Sequence, residues 1–346
     1  MTLNKPSIID KKKLVGLLDE LLKEYRVIAP VQRDGMVVFE EVHSGKDVLL
    51  DFSNSKMSPK GLFFPQSDVL FSYESVGKEM KLQEPVPDTR KTVIFGMRPC
   101  DARAVLILDK VFLQNGREDS NYKRRRDNTI ILAVGCTDPK STCFCTSMNG
   151  SPFSVEGNDA LFTDIGGSFA VEANTVKGKE LLGRHLSVEA DDEALKHMGE
   201  VKQKAVGLIQ CKVDAKRASE LDLLQVFKST YWDRVHEKCV GCGVCTYMCP
   251  TCSCFDVVDE NNGAAGERIR IWDPCMFPLY TLQASGFNPR PTGKERMRQR
   301  ILHKLNYAAG GHGELTCVGC GRCVSNCPVN LDIRQVINSL AGGDSV

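Results

Sequence analysis

Two copies of one cysteine pattern constrain this chain more than any other feature. Residues 239–250 read C-x2-C-x2-C-x3-C-P, and residues 317–328 repeat that spacing. Three thiolates at this spacing on a tight loop converge on one centre, whereas the fourth, which the following proline turns away, is directed elsewhere. The cysteines of the two motifs are Cys239, Cys242, Cys245 and Cys249, and Cys317, Cys320, Cys323 and Cys327.

This is the spacing with which bacterial two-cluster ferredoxins bind 4Fe-4S clusters, and in them the fourth cysteine of each motif binds the other cluster. The chain is therefore expected to bind two 4Fe-4S clusters with crossed ligand sets. Cluster I takes Cys239, Cys242, Cys245 and Cys327, and cluster II takes Cys249, Cys317, Cys320 and Cys323.

Zinc and disulfides are the alternatives for these cysteines. A structural zinc site usually takes four ligands from two Cys or His pairs, so a third cysteine and a proline, twice over, fit zinc poorly. The sixteen cysteines concentrate in three regions, 100–145, 239–275 and 317–327. That distribution is typical of ligands rather than of an even disulfide framework, and nothing else in the chain indicates secretion.

Composition limits the remaining classes. At 346 residues the chain is long enough for two domains, and its 42% hydrophobic and 26% charged content is ordinary for a globular protein. A net charge of +1 gives little bulk attraction to nucleic acid or anionic lipid. No signal peptide and no apolar stretch of roughly 18 residues is apparent. We expect a cytoplasmic protein with no nucleic-acid partner and no membrane insertion.

The first half is predicted to contain an α/β layer. Residues 92–96 and 129–134 are short apolar runs typical of buried strands, with a helix predicted at 101–113 between them. Each run ends close to a cysteine, Cys100 or Cys136. If the two strands are parallel, both cysteines lie at the same edge of the sheet.

Two interpretations of Cys100, Cys136, Cys143 and Cys145 stay open. They bind a third iron-sulfur cluster at the carboxyl edge of the sheet, where open α/β proteins place their ligands. The start of a helix at Cys100 would favour its thiolate. Alternatively they are unconnected buried thiols, because free cysteine is among the most buried residue types.

The predicted fold is a mixed α+β or α/β N-terminal domain, residues 1–215, followed by a C-terminal α-helical dicluster ferredoxin domain, residues 216–346. Residues 250–316, between the two motifs, are too many for a compact ferredoxin turn, and Thr292 with Glu295 forms a capping-box pattern. Helices are therefore expected to carry and separate the motifs. The other predicted elements are a helix at 11–26, strands at 26–31, 35–42 and 48–52, a hairpin around Gly166 and Gly167, helical structure over 188–236 with Leu224, Phe227 and Tyr231 buried, and a closing helix at 331–340.

Several charged and thiol side chains have no assigned role. Cys252, Cys254 and Cys275 either support a further metal or line the cluster pocket, and Cys211 stands alone. The helix after Thr292 is basic, which is typical of a solvated face but is also compatible with docking an acidic partner or raising a cluster potential. Its basic residues are Lys294, Arg296, Arg298, Arg300, His303 and Lys304.

A series of short motifs runs along the chain at 98–101, 143–145, 249–256, 272–275, 288–290 and 298–300, together with the closing cysteine motif. Through these motifs the chain, from about Val27 onward, resembles the A subunits of anaerobic sulfite reductases and the beta subunits of cytoplasmic sulfhydrogenases. The resemblance implies an iron-sulfur subunit beside a flavin- and NAD(P)H-binding subunit, exchanging electrons with a separate catalytic redox subunit. Related subunits also accompany heterodisulfide-reductase-like complexes.

An electron-transfer subunit is therefore the expected function, and no catalytic residue is assigned. No G-x-G-x-x-G in a strand-turn-helix context and no G-x-x-x-x-G-K-[ST] occurs, so nucleotide binding is assigned to a partner. A self-contained reductase of a small sulfur compound is the alternative, but no acid-base constellation is apparent beside the surplus thiols. Structural clusters in a nucleic-acid enzyme would need a basic domain that the sequence lacks.

Overall fold

The computed structural model describes residues 5–86, 88–307 and 315–342, and within these ranges the chain forms thirteen strands. The strands are β1 (Ser7–Asp10), β2 (Arg26–Arg33), β3 (Met36–Glu41), β4 (Ser67–Val76), β5 (Glu79–Gln83), β6 (Thr92–Met97), β7 (Leu113–Gln114), β8 (Arg117–Glu118), β9 (Thr129–Val134), β10 (Ala160–Asp164), β11 (Ser168–Ala173), β12 (Phe255–Asn261) and β13 (Ala265–Trp272).

The helices are mostly short. A π-helical turn, His303–Tyr307, continues one of them, and 3-10 turns lie at Gly45–Asp47, Pro59–Leu62 and Cys145–Met148. None of the described helices is long and apolar enough to cross a membrane. The helices are α1 (Lys11–Leu21), α2 (Pro99–Phe112), α3 (Ser120–Asp127), α4 (Val176–Gly183), α5 (Asp192–Leu208), α6 (Ala215–Glu220), α7 (Leu223–Lys228), α8 (Tyr231–Val235), α9 (Val244–Tyr247), α10 (Gly293–Leu302), α11 (Arg322–Ser325) and α12 (Ile333–Gly342).

A seven-stranded sheet, in the order β1-β11-β10-β9-β6-β2-β3, forms the centre of the first half. Its inner strands β2, β6, β9 and β10 are parallel neighbours. The outer strands β1, β11 and β3 each run antiparallel to the strand beside them. Parallel strands place their carboxyl ends at one edge. The edge where β6 ends at Met97 and β9 at Val134 is therefore the edge that receives Cys100 and Cys136.

Both faces of this sheet are covered. Leu14 and Leu18 of α1 and Leu181 of α4 pack on one face, and Val105 and Leu108 of α2 pack on the other. The inner strands are consequently buried on both sides, which explains their nearly continuous apolar sequences. The predicted strands at 26–31 and 35–42 and the hairpin around Gly166 are confirmed. The predicted strand at 48–52 is wrong, since these residues have irregular backbone.

A second, antiparallel sheet has the order β12-β13-β4-β5 and joins the two halves of the sequence. Strand β4 comes from the first half, whereas β12 and β13 form a hairpin between the two cysteine motifs. Trp272, at the end of β13, stacks on Phe64 with ring centroids 5.8 Å apart and donates a hydrogen bond to the Phe64 carbonyl. The expectation that helices separate the motifs is therefore incomplete, because this hairpin also lies between them.

Helices dominate the remainder of the second half. Trp232 is fully buried and packs in one cluster with Ile301, Leu305 and Ile337, and its indole N–H donates to the Val226 carbonyl at 2.7 Å. The predicted capping box at Thr292 is present. The closing helix is α12, although Gly343, beyond it, lies outside the described residues. The helical stretch predicted at 188–236 is divided into α5 to α8. Its predicted buried stripe is wrong, because Leu224 is 61% and Phe227 38% exposed.

Candidate iron-sulfur centres

The first cysteine motif wraps around a cavity. The backbone turns there at Gly241 and Gly243, both with positive φ (67° and 73°), and a Cβ on Gly243 would lie 2.9 Å from the Phe277 ring. Glycine is therefore required for the loop to close against its neighbour. The cavity is lined by Cys239, Cys242 and Cys245 from this motif, by Cys323 and Cys327 from the other, and by Arg300.

The thiols expected at cluster II lie deeper. Burial raises the pKa of Cys317 to about 11 and that of Cys320 and Cys323 to about 12, and the charge of Cys249 adds to the effect in all three. Cys249, from the first motif, therefore lies among three thiols of the second motif. Such thiols are neutral unless a metal replaces their protons.

The Cys249 thiol has polar neighbours of its own. A hydrogen bond from Cys252 lowers the pKa of Cys249 well below its usual range, and the charge of Lys304 acts in the same direction. The Thr251 hydroxyl lies 3.3 Å from the Cys249 sulfur. These neighbours favour the thiolate form that a metal ligand requires.

The edge of the large sheet holds a second cavity, lined by all four of the cysteines that come after β6 and β9. Arg98 and Pro99 close it on one side. Burial raises the pKa of Cys136 to about 11 and of Cys145 to about 12. The sequence prediction that these thiols converge agrees with this geometry, and they are hereafter called the third-site cysteines, Cys100, Cys136, Cys143 and Cys145.

The loop that carries Cys143 and Cys145, hereafter the third-site loop, lies directly on the second cysteine motif. The Phe144 amide donates to the Gly319 carbonyl at 2.9 Å, and the Cys143 sulfur lies 3.7 Å from the Cys320 carbonyl oxygen. Gly319 has φ +65°, and a Cβ there would lie 2.6 Å from the Cα of Cys145. The third-site cysteines and the cysteines of the second motif are therefore separated by little more than backbone.

Three buried cations surround the two motifs without a carboxylate partner among the described residues. Arg300, Lys304 and Lys60 are only 4%, 5% and 4% exposed. The Lys304 ammonium donates to the Thr251 hydroxyl at 2.8 Å, whereas Lys60 donates to the Cys252 carbonyl at 2.9 Å. The Arg300 Nε has no hydrogen-bond partner.

The electrostatics of these cations depend on the thiols. Burial lowers the pKa of Arg300, but the negative charges of Cys245, Cys323 and other cysteines together outweigh it and raise that pKa. Burial likewise opposes the charged form of Lys304, and Cys249 with other cysteines outweighs it and raises its pKa. Burying an uncompensated cation costs several kcal/mol. Anionic iron-sulfur clusters in the thiol-lined cavities would supply the missing negative charge, so the residues present fit such groups.

The surplus cysteines form a smaller group. A hydrogen bond with Cys275 lowers the pKa of Cys254 to about 6, and Tyr280 hydrogen-bonds to the same sulfur. Cys211 lines neither of the two cavities and hydrogen-bonds to Arg334. Across residues 5–86, 88–307 and 315–342, no three His, Cys, Asp or Glu side chains lie close enough together to hold a single metal ion.

A surface cleft lies away from these cysteines, on the four-stranded sheet. Its lining includes Tyr73, Glu74, Lys81 and Glu260, and none of its lining residues is a cysteine. The redox-capable side chains are therefore concentrated at the edge of the large sheet and around the two motifs.

Comparison with known proteins agrees with this arrangement. Residues 238–331 match the family described as a 4Fe-4S dicluster domain. Over 342 residues the chain is 35% identical to sulfhydrogenase 2 subunit beta of Pyrococcus furiosus, covering 98% of this chain and 96% of that protein. The chain belongs to the family of the sulfhydrogenase beta subunit. It is an iron-sulfur electron-transfer subunit, as the sequence motifs predicted. No solved structure matches it.

In this beta-subunit homologue, sequence reasoning missed an ion pair that joins the two halves. Arg322, inside the second motif, donates to both carboxylate oxygens of Asp101 at 2.6 and 2.7 Å, and the two side chains are 3% and 1% exposed. Asp101 is next in sequence to the third-site residue Cys100. Each residue lies beside a cysteine, which was the only sequence signal available for this pairing.

Arg98 was also missed as a structural residue of this homologue. It donates to the carbonyls of Ser53 and Gly135, at 3.0 and 2.6 Å, and its guanidinium lies 3.9 Å from the centre of the Phe52 ring. Backbone carbonyls thus accept its hydrogen bonds beside the third-site cysteines. The side chain fixes the ends of β6 and β9 relative to the 51–54 loop.

Proposed function

We propose that this chain relays single electrons through three iron-sulfur clusters between a flavin- and NAD(P)H-binding subunit and the catalytic subunit of a cytoplasmic oxidoreductase complex. A 4Fe-4S cluster cycles one electron at a potential set by hydrogen bonds, charge and exposure. The observation that carries the proposal is that twelve cysteines form three adjoining groups. The relative's name favours a hydrogenase as the complex, with sulfite reductase and heterodisulfide-reductase-like complexes as the other candidates.

The ligand sets are part of the proposal. The cavity shared by the first motif and Cys327 supports the crossing at cluster I, and the burial of Cys249 among the second-motif thiols supports it at cluster II. The proposed ligands are Cys239, Cys242, Cys245 and Cys327 for cluster I, Cys249, Cys317, Cys320 and Cys323 for cluster II, and Cys100, Cys136, Cys143 and Cys145 for the third cluster.

A direct test of the crossing uses the fourth cysteine of each motif. Cys249→Ser is expected to alter the spectrum of cluster II although Cys249 belongs to the first motif, and Cys327→Ser is expected to alter that of cluster I. Electron paramagnetic resonance of each reduced variant separates the two signals. If Cys249→Ser altered cluster I alone, the crossing would be rejected.

The third cluster is tested by counting iron. Cys136→Ser is expected to lower the iron content by about a third, because one of three four-iron clusters is lost. Cys211→Ser is the matched control, since it removes a thiol that lines neither cavity. An iron content in Cys136→Ser equal to that of the control would refute the third cluster.

The contacts imply an order for the relay. The third-site loop touches Gly319 and Cys320 of the second motif, and the second motif meets the first where Cys323 lines the cavity of Cys245. Cluster II is therefore proposed to lie between the other two. At the cluster I end Cys242 is exposed and Val240 is 66% exposed, which supports the docking of a redox partner there.

A self-contained reductase of a small sulfur compound is the second candidate. The hydrogen-bonded thiols Cys254 and Cys275 favour it, because the pKa of Cys254 lies near 6 and its thiolate is available at neutral pH. The purified chain, reduced with dithionite and given sulfite, distinguishes the two. The relay proposal expects no turnover and expects a flavoprotein to copurify, whereas sustained turnover by the chain alone would overturn it.

A further inference from the structure

The basic helix α10 and the π turn after it carry cations in two different settings. On the outer side, Lys294 pairs with Asp233 at 2.5 Å, and the Arg298 guanidinium lies 3.6 Å from the centre of the Phe227 ring. On the inner side, Arg300 and Lys304 are nine-tenths or more buried. Their spacing of four residues places them one turn apart, facing the cysteine motifs.

Arg300 lies where the two ferredoxin-type ligand sets meet. It lines the cavity of cluster I, and the thiols that act most strongly on its charge are Cys245 and then Cys323. Cys245 is a proposed ligand of cluster I and Cys323 of cluster II. With no carboxylate partner among the described residues and Nε without a hydrogen-bond acceptor, the guanidinium charge is directed at these thiols.

Lys304 is held against Thr251 and Thr316. Its ammonium donates to the Thr251 hydroxyl, which itself donates to the Thr316 carbonyl at 2.6 Å. The thiols that act most on Lys304 are Cys249, Cys252 and Cys317, and Arg300 opposes them. The π turn contributes to this placement, because the Thr316 amide donates to the Lys304 carbonyl at 3.1 Å.

We propose that Arg300 and Lys304 set the reduction potentials of the two ferredoxin-type clusters, with Arg300 acting chiefly on cluster I and Lys304 chiefly on cluster II. Reduction adds a negative charge to a cluster, so a nearby cation stabilises the reduced form and raises its potential. Because both cations are buried, salt screens them little. This inference rests on the proposed function, and it makes the two residues tuning residues rather than ligands.

The test is a potentiometric titration of the intact chain, followed by electron paramagnetic resonance. In Arg300→Gln the reduction equilibrium of cluster I is expected to fall tenfold or more, which is about 59 mV for a one-electron couple, with a smaller change in cluster II. Lys304→Gln is expected to give the reverse pattern. Arg298→Gln removes the same charge from the outer side of α10 and is expected to match the wild type.

Charge-conserving variants separate charge from packing. Arg300→Lys and Lys304→Arg are expected to retain potentials close to those of the wild type. If Arg300→Gln binds no iron, Arg300→Lys and the Lys304 pair still decide the question. The proposal would be overturned if the potential of cluster I in Arg300→Lys fell as far as that of cluster II in Lys304→Gln. Equal shifts in the potentials of both clusters in every variant would also overturn it.

Iron content distinguishes failure of this inference from failure of the proposed function. Wild-type protein that binds no iron-sulfur cluster refutes the relay itself. Full iron content with potentials unchanged in both glutamine variants refutes only the tuning by Arg300 and Lys304.

Discussion

Replacing Asp101 by asparagine tests whether the two halves of the chain are joined electrostatically. Asp101→Asn keeps the side-chain volume but leaves the buried Arg322 without its carboxylate. Arg322 would retain three acceptors, the carbonyl and the hydroxyl of Ser55, at 3.0 and 2.9 Å, and the side-chain oxygen of Asn54 at 2.5 Å. Its charge would then depend on the thiolates around it.

The expected loss in the free energy of unfolding is set by the burial of the Asp101–Arg322 pair. Removing one partner of a buried ion pair costs about 3–5 kcal/mol. The lower end, about 3 kcal/mol, applies here, because Ser55 still accepts hydrogen bonds and the charge of Cys320 also favours the Arg322 guanidinium. At about 2 °C per kcal/mol for a chain of this length, the unfolding midpoint should fall by about 6 °C.

The measurement is an anaerobic thermal unfolding scan of cluster-loaded protein at one fixed scan rate. Asp259→Asn is the matched control, since Asp259 pairs with Arg268 at the surface, where both side chains are 40% or more exposed. Such a pair is worth less than about 1 kcal/mol. Asp101→Leu combined with Arg322→Met should recover most of the loss, because apolar residues often replace a buried pair without cost. If Asp101→Asn shifted the midpoint no further than Asp259→Asn, the reasoning would be refuted.

Two further predictions use the backbone and the thiols. Gly319→Ala places a Cβ 2.6 Å from the Cα of Cys145, so the third-site loop must move and the iron content should fall by at least a third. Gly263→Ala is the control and should keep its iron, because a Cβ there has nothing within 4 Å. Equal iron contents in the two variants would contradict this prediction. Because the pKa of Cys254 is lowered to about 6, its alkylation, followed by mass spectrometry, should be nearly independent of pH above 7, and Cys275→Ala should move the profile to higher pH. A rate that rises through pH 8.5 in the unaltered chain would contradict it.

The convergence of the third-site cysteines could be predicted because it depends on local pattern. Two apolar runs with a helix between them favour neighbouring parallel strands, and this topology places the residues after each strand at one edge of the sheet. The strands β6 and β9 are such neighbours. The capping box at Thr292 was readable for the same reason, since all its partners lie within four residues.

Other features depend on contacts distant in sequence. The helical composition of 188–236 gave no sign of where its helices end. The side chains of Asp214 and Asp222 accept hydrogen bonds from the backbone amides of Arg217 and Gln225, and each aspartate caps the start of a new helix. The β12-β13 hairpin is polar on much of its surface, and its pairing with β4 spans about two hundred residues of sequence. No local pattern encodes that partner.

The basic helix gives the sharpest example of this limit. Arg298 and Arg300 are two residues apart in a run of alternating basic residues, so composition treats them alike. A two-residue step on a helix nevertheless rotates the side chain by about 200° at 3.6 residues per turn. Only the packing of Met297, Ile301 and Leu305 into the core decides which arginine is turned inward.

The contacts across the proposed boundary at 215/216 bear on how the clusters assemble. Lys60, from the first half, donates to the Cys252 carbonyl, and Asp101 holds Arg322 within the second motif. Strand β4 completes the sheet of the β12-β13 hairpin. A ferredoxin half without these partners would leave the Arg322 charge unpaired and the hairpin with an open edge. The two sequence units therefore depend on each other around the second motif, and the proposed relay through cluster II requires both of them folded together.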